Sequence, residues 1–314
     1  MILPNLFESR LTTAASYVAL VLAAMFWAGN MLTGRAVHDV IAPTVLSFWR
    51  WLLILTLLLP FVAREIGTHR KVLVDSWRIL LPLAILSTGL FNSLVFLSLH
   101  YTTATNAALL NSTIPLWTVL AAYIILRERI SFGQSIGLLV SFIGLTLVVA
   151  AGDFNALLAL RINRGDGLML CAMMMWGVYS VCLRRRPAGL SALCYLWVTG
   201  AIGLLLLIPA MVLEWLTLGP TDGYNLATYL VPDPAAWPSI VYLAVFSSIC
   251  ATVLYNKAVD RLGAFRASQA IHLVPVFASV IAARVLDEPL KAYHLIGFAL
   301  ILAGLIFSAK NCLS

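Results

Sequence analysis

Ten runs of about twenty apolar residues, separated by polar segments, constrain this chain more than any other feature. Their cores lie near 16–34, 43–63, 79–99, 104–126, 132–151, 166–183, 191–213, 238–258, 265–285 and 292–309. At a rise of about 1.5 Å per residue, a helix of that length matches the hydrocarbon thickness of a bilayer. The runs are continuous rather than alternating, which argues against a membrane β-barrel. Composition agrees: 62% of the 314 residues are hydrophobic, 11% are charged, and the mean hydropathy is +0.97. A soluble domain of this size cannot bury so much apolar surface, whereas lipid accepts it. The expected fold is an all-α integral membrane protein with ten transmembrane helices.

The stretch 101–149 returns later in the chain. Adding 160 to each number carries Pro115 onto Pro275, Leu126 onto Leu286, Glu128 onto Glu288, Gly137 onto Gly297 and Gly144 onto Gly304. Coincident proline, glutamate and two glycines in one ungapped alignment point to an internal repeat. A second match has an offset of 149: Met25-Phe26-Trp27-Ala28-Gly29-Asn30 resembles Met174-Met175-Trp176-Gly177-Val178-Tyr179. The polar, Pro-rich segment Thr217–Trp237 can hold the eleven residues by which the offsets differ. The expected units are residues 1–151 and 152–314, five spans each.

Orientation follows from the basic residues. Fourteen Lys and Arg fall on the side of the N-terminus and five on the other, with Arg50 inside a span. The bias places both termini in the cytoplasm. Five spans per unit is an odd number, so the second unit enters the membrane in the opposite sense. Glu128 then faces the cytoplasm and Glu288 the outside. Such inverted repeats allow one site to be shown to either side in turn.

The net charge of +7 belongs to the turns, where it sets topology, and is no sign of a nucleic-acid partner. Five cysteines (Cys171, Cys182, Cys194, Cys250 and Cys312) lack metal-site spacing and read as free thiols. The first apolar run lacks a basic leader and a cleavage site, and is expected to be a retained span.

Tyr101-Thr-Thr-Ala-Thr-Asn-Ala-Ala, then Pro115, then Arg127-Glu128-Arg129 and a glycine-spaced helix resemble the EamA family of the drug/metabolite transporter superfamily. The match spans both units. Within that family the pattern is most similar to the YddG-type aromatic amino acid exporters. The resemblance implies ten helices in two inverted five-helix halves. It also implies export of a small metabolite, often an amino acid, through the bacterial inner membrane.

Several residues are candidates for the pathway. Pro115 and Pro275 occupy equivalent places and read either as paired hinges or as static kinks. Arg50 lies about 10 Å into span 2 and either binds a substrate carboxylate or snorkels to the interface beside Trp49 and Trp51. His272, whose equivalent is Ser112, is either a proton carrier or substrate partner, or a neutral packing group. Asn30, Asn92 and Asn111 either line a pathway or tie helices together. Trp27, Trp117 and Trp176 lie away from the interfacial belts, and Tyr179 shares a face with Trp176; they read as an aromatic cavity wall or as packing. Tyr101, in the family-like motif, joins the candidate binding residues. Gly133, Gly137, Gly144, Gly297 and Gly304 predict close helix packing, within one subunit or between two.

No span carries Asp or Glu near its middle, no phosphate-binding loop is present, and no hydrolytic constellation occurs. These absences point away from an ATPase or membrane enzyme, and no cofactor is expected. The reading is a transporter whose spans 1, 3, 4, 6, 8 and 9 line a path for an amino acid or similar metabolite. The alternative is efflux of lipophilic cations or drugs.

Overall fold

The computed structural model describes residues 12–37, 40–102, 107, 110–150, 163–218, 230–285 and 291–310. Among these, all regular structure is helical and no strand occurs. Asp222, Asp287, Glu288 and Cys312 lie outside the described residues.

Helix α1 (Thr13–Ala36) starts where the Thr12 hydroxyl accepts from the Ala15 N–H at 3.2 Å. Helix α2 (Pro43–Thr68) opens on a proline, whose missing N–H would have no partner in a first turn. After the short α3 (Arg70–Asp75), the third span is composite: α4 (Trp77–Ala84), a π-helical turn Ile85–Gly89, and α5 (Phe91–Tyr101). Helices α6 (Ile114–Leu126) and α7 (Phe132–Val149) follow. A capping box of Ser131 and Gln134 starts α7, and one of Asn163 and Asp166 starts α8 (Arg164–Cys182).

Helix α9 (Ala192–Leu218) is the longest. The next span repeats the composite pattern: α10 (Trp237–Tyr242), a π-helical stretch Leu243–Cys250, and α11 (Ala251–Leu262). Gly263 alone separates α11 from α12 (Ala264–Gln269), and its φ of +88° is open to glycine and strained for other residues. A 3-10 turn, Ala270–His272, links α12 to α13 (Leu273–Val285), and α14 (Ala292–Lys310) ends the described chain.

Seven of these helical runs are long and apolar enough to cross a bilayer: 13–34, 43–68, 77–99, 164–185, 192–216, 234–262 and 264–281. Three shorter apolar helices, 114–126, 132–148 and 292–308, accompany them. The outward surface carries many large apolar side chains. Leu205, Ile124 and Phe61 are 67%, 66% and 61% exposed, as suits side chains that meet lipid.

The helices pair with a regular plan. Helix α2 packs on α9, and α7 packs on α14. Helix α1 packs on α11 and α13, while α8 packs on α5 and α6. The glycine stripes are turned toward each other inside the chain. A Cβ on Gly137 would stand 2.6 Å from the Gly304 carbonyl oxygen, and one on Gly144 would stand 2.7 Å from that of Gly297. Backbones therefore touch at both crossings, the close approach that small residues permit.

The two prolines differ from the mid-span kinks expected of them. Pro115 is the second residue of α6, after a break at Ser112–Thr113, and Pro275 is the third residue of α13, after the 3-10 turn. Both open a new helical segment, where the absent N–H breaks no helical hydrogen bond.

Candidate functional site

Arg50 is the charge around which the interior is arranged. It sits on α2 and is only 4% exposed. Its Nε–H donates to the Ser248 hydroxyl at 2.6 Å. Nη1 donates to Asn30 Oδ1 at 3.4 Å and Asn92 Oδ1 at 3.3 Å, and Nη2 to the Ser247 hydroxyl at 3.5 Å. All four acceptors are neutral. Among the described residues no carboxylate pairs with Arg50. A cation so placed retains much of the cost of leaving water. It does not snorkel: the guanidinium points into protein.

The π-helical stretch Leu243–Cys250 explains how two adjacent serines serve one guanidinium. Its wider turn lets the Ser248 hydroxyl donate back to the Leu243 carbonyl, five residues away, at 2.7 Å. The same stretch offers the Ser247 carbonyl to Trp27 Nε1 at 3.1 Å. Trp27 in turn meets Trp176 edge-on, with ring centroids 5.5 Å apart and planes at 89°. Trp176 is the hub of an aromatic cluster that includes Phe91 at 4.8 Å, Tyr179 at 5.2 Å and Tyr255 at 5.7 Å.

A cavity lies among these groups, with a mostly apolar lining and a few polar side chains, the make-up of a small-molecule site. Of the residues singled out in the sequence, Trp27, Asn30, Arg50, Asn111, Trp176 and Tyr179 line it, as does Asn92. Spans 2 and 7 contribute as well as the six expected, through Arg50, Trp51, Leu196 and Thr199.

The two offsets of the sequence reappear in the wall. Trp27 and Trp176, Asn30 and Tyr179, and Arg50 and Thr199 are pairs at 149; Ser87 and Ser247, Asn92 and Thr252, Asn111 and Ile271, and Ile114 and Val274 are pairs at 160. Fourteen of the nineteen lining residues thus form seven offset pairs. The first π-helical turn, Ile85–Gly89, takes the place that Leu243–Cys250 takes for Arg50: Thr88 donates to the Thr199 carbonyl at 2.8 Å.

Three candidates lie elsewhere. Tyr101 is 50% exposed at the end of α5. Trp117 donates from Nε1 to the Thr113 hydroxyl at 3.1 Å and packs its Cβ against Gly177 of α8, where a glycine Cβ would stand 2.7 Å away. His272 is fully buried behind the wall. Its Nε2 donates to the Ser112 carbonyl at 3.0 Å, and its Nδ1 meets the Ser141 hydroxyl at 2.8 Å. The imidazole thus ties the 3-10 turn Ala270–His272 to the break before Pro115.

Ser87, Thr88, Phe91, Thr199, Ser247 and Thr252 were not singled out in the sequence. The offset of 160 carries Ser87-Thr88 onto Ser247-Ser248, a signal that was present but weak in a serine-bearing apolar chain.

Carboxylates hold the α2–α9 pair at both ends. Glu65 accepts from the Ser191 N–H and hydroxyl, each at 2.6 Å, at the start of α9. Glu214 accepts from the Thr44 N–H at 3.0 Å and from the Thr44 hydroxyl, at the start of α2. Each is an anion at a helix N-terminus, and their numbers differ by 149.

Comparisons with known proteins agree with this architecture. A transporter of Bacillus subtilis named YyaM and described as uncharacterized is 27% identical over 293 residues, covering 92% of both chains. A "Probable terminal-alkyne amino-acid exporter" of Streptantibioticus cattleyicolor is 30% identical over 303 residues, 94% of this chain and 93% of its own. The riboflavin transporter of Brucella anthropi is 24% identical over 245 residues, 76% of each. A protein of known crystal structure shares the fold with a TM-score of 0.71 at 16% identity, covering 96% of this chain and 98% of its own. The EamA-like transporter family matches residues 14–150 and again 163–309. This multi-pass membrane protein, with its polar and aromatic cavity among apolar helices, belongs to the EamA-like transporter family.

Proposed function

We propose that the chain exports amino acids, aromatic or otherwise neutral, or metabolites of similar size across the bacterial inner membrane. The observation that carries this reading is the cavity itself: an aromatic wall around Trp27, Phe91 and Trp176, with the buried cation Arg50 at its edge. Apolar walls with a few placed polar groups are what a small-molecule site needs. The relatives named for amino-acid and riboflavin transport support small substrates that carry polar groups. Within the family we place the chain beside the YddG-type aromatic amino acid exporters.

The architecture we propose is ten spans in two inverted five-helix units, 1–151 and 152–314, with both termini cytoplasmic. The three shorter apolar helices complete the ten. Contacts between offset pairs support the inversion. Gly137 meets Gly304 while Gly144 meets Gly297, so two helices that correspond in order touch in reverse order. Trp27 touches Trp176 and Ser112 touches His272, as residues on a two-fold axis would. Transport then proceeds by alternating access, with motion at the breaks before Pro115 and Pro275. His272, bonded at both nitrogens, is assigned to holding these breaks rather than to carrying protons.

Efflux of lipophilic cations is the competing reading, because an aromatic cluster attracts cations. Arg50 opposes it by like charge. The test is counterflow in proteoliposomes preloaded with single amino acids or lipophilic cations. Exchange with aromatic or other neutral amino acids, indifferent to an imposed pH gradient, is expected, and Trp27→Ala should abolish it in folded protein. Exchange with cations alone would overturn the reading.

A further inference from the structure

We propose that the cavity recognises a monocarboxylate with an aromatic or apolar body, and that an amino group on that body is dispensable. This inference rests on the export reading above and narrows its substrate class.

The argument begins with an asymmetry. Seven offset pairs line the cavity, and six of them match a neutral side chain with a neutral one. The seventh sets Arg50 against Thr199. Among the described residues the wall, otherwise balanced, therefore has one charge, which is positive, and no Asp or Glu lines the cavity.

The donors are also in excess. Arg50 is held by two amide oxygens and two hydroxyls, with three of the four contacts at 3.3 Å or longer. Trp51, only 3% exposed and part of the same wall, has a buried Nε1–H with no protein acceptor among the described residues. Charge-assisted hydrogen bonds to a carboxylate are shorter and about twice as strong as these neutral ones. A ligand carboxylate thus answers an uncompensated cation in a wall that also holds an unmatched N–H.

The rest of the wall offers an ammonium much less. Thr88 and Thr199 spend their hydroxyl protons on backbone carbonyls, and Tyr179 donates to Asn256 at 3.2 Å. What remains are neutral lone pairs and ring faces. These tolerate an amino group without fixing it. Binding energy should therefore track the carboxylate and the apolar body.

Three compounds with the same ring and chain separate the possibilities: phenylalanine, 3-phenylpropionate and 2-phenylethylamine. The full-length protein is purified in detergent and its thermal unfolding followed with each compound, since a ligand that binds the folded state raises Tm with its concentration. The expected result is stabilisation by 3-phenylpropionate at half-maximal concentrations within about tenfold of those for phenylalanine, and none by 2-phenylethylamine. Arg50→Gln should weaken the acid by roughly tenfold or more, and Arg50→Lys by less. The wild-type comparison needs no variant, so a misfolded Arg50→Gln leaves the test intact. Stabilisation by phenylalanine but not by 3-phenylpropionate at millimolar concentration overturns the inference and leaves the amino acid exporter standing. Stabilisation by the acid alone upholds the inference and removes the amino acids. Stabilisation by the amine alone overturns both.

Discussion

Replacing His272 with alanine should destabilise the protein without altering the chemistry of its cavity. The imidazole is fully buried and bonded at both nitrogens, to the Ser112 carbonyl at 3.0 Å and the Ser141 hydroxyl at 2.8 Å. Each interhelical hydrogen bond in a membrane protein contributes about 0.6–1.7 kcal/mol. Deleting roughly 60 Å³ of ring, at about 24 cal/mol per Å³ of cavity, adds about 1.5 kcal/mol. The sum is about 3–5 kcal/mol, which lowers Tm by on the order of 10 °C in a chain of this size. Tryptophan fluorescence during heating of purified protein in detergent reads this directly. His272→Gln, which keeps one donor and one acceptor, should recover part of the loss. It should also exchange substrate with the wild-type dependence on pH, because His272 lies behind the cavity wall between its lining neighbours Ile271 and Val274. The reasoning is refuted if His272→Ala unfolds at the wild-type temperature. It is refuted as well if His272→Gln folds normally and loses a pH dependence that the wild type has. Either result would return the residue to proton transfer.

Three further outcomes follow from the packing. A Cβ on Gly304 would stand 2.5 Å from the Gly137 carbonyl oxygen and 2.5 Å from the Ser141 nitrogen, so Gly304→Ala must push α7 and α14 apart at a cost of about 1–3 kcal/mol. Gly67→Ala, with open space around it in α2, should raise stability by up to about 1 kcal/mol, and thermal unfolding that fails to separate the two variants would sink the account. Glu65→Gln and Glu214→Gln should each lower stability by about 1 kcal/mol or more by weakening the anion at a helix start. Their effects should add, because the clamps sit at opposite ends of the α2–α9 pair, and a double variant no worse than either single one in denaturant titration would contradict that. Glu128→Ala should change stability by less than about 1 kcal/mol despite its place in the motif, since its 2.7 Å ion pair with Arg184 has both side chains about half exposed. A larger loss in the same titration would assign Glu128 a role the surface geometry does not give it.

The fold was legible in the sequence to the extent that it follows from run length and from arithmetic. Apolar runs forecast the helices, and the offset of 149 paired Trp27 with Trp176 before their rings were known to touch. What could not be read were contacts that depend on how helices cross. Arg50 finds Ser247 and Ser248 nearly two hundred residues away, on a π-helical turn that no local pattern announces. Pro115 reads in the sequence as a kink near mid-span, yet the chain breaks just before it, so the proline starts a segment where its missing N–H is harmless. His272 was open between carrying a proton and packing. We assign it to packing because its two nitrogens meet the Ser112 carbonyl and the Ser141 hydroxyl, partners on distant helices that no local pattern announces.

The offsets also divide structural from functional residues. Where members of two offset pairs pack on each other, as Gly137 does on Gly304 and Gly144 on Gly297, all four must stay small or the helices separate. Where pairs face an open cavity, packing imposes no such equality, and either member is free to diverge. Arg50 against Thr199, and Asn111 against Ile271, are such divergences. A buried cation is costly in a membrane interior and would be discarded if it served packing alone, since a threonine holds the equivalent place. We therefore match the carboxylate of the proposed ligand to the side of the cavity that carries the cation.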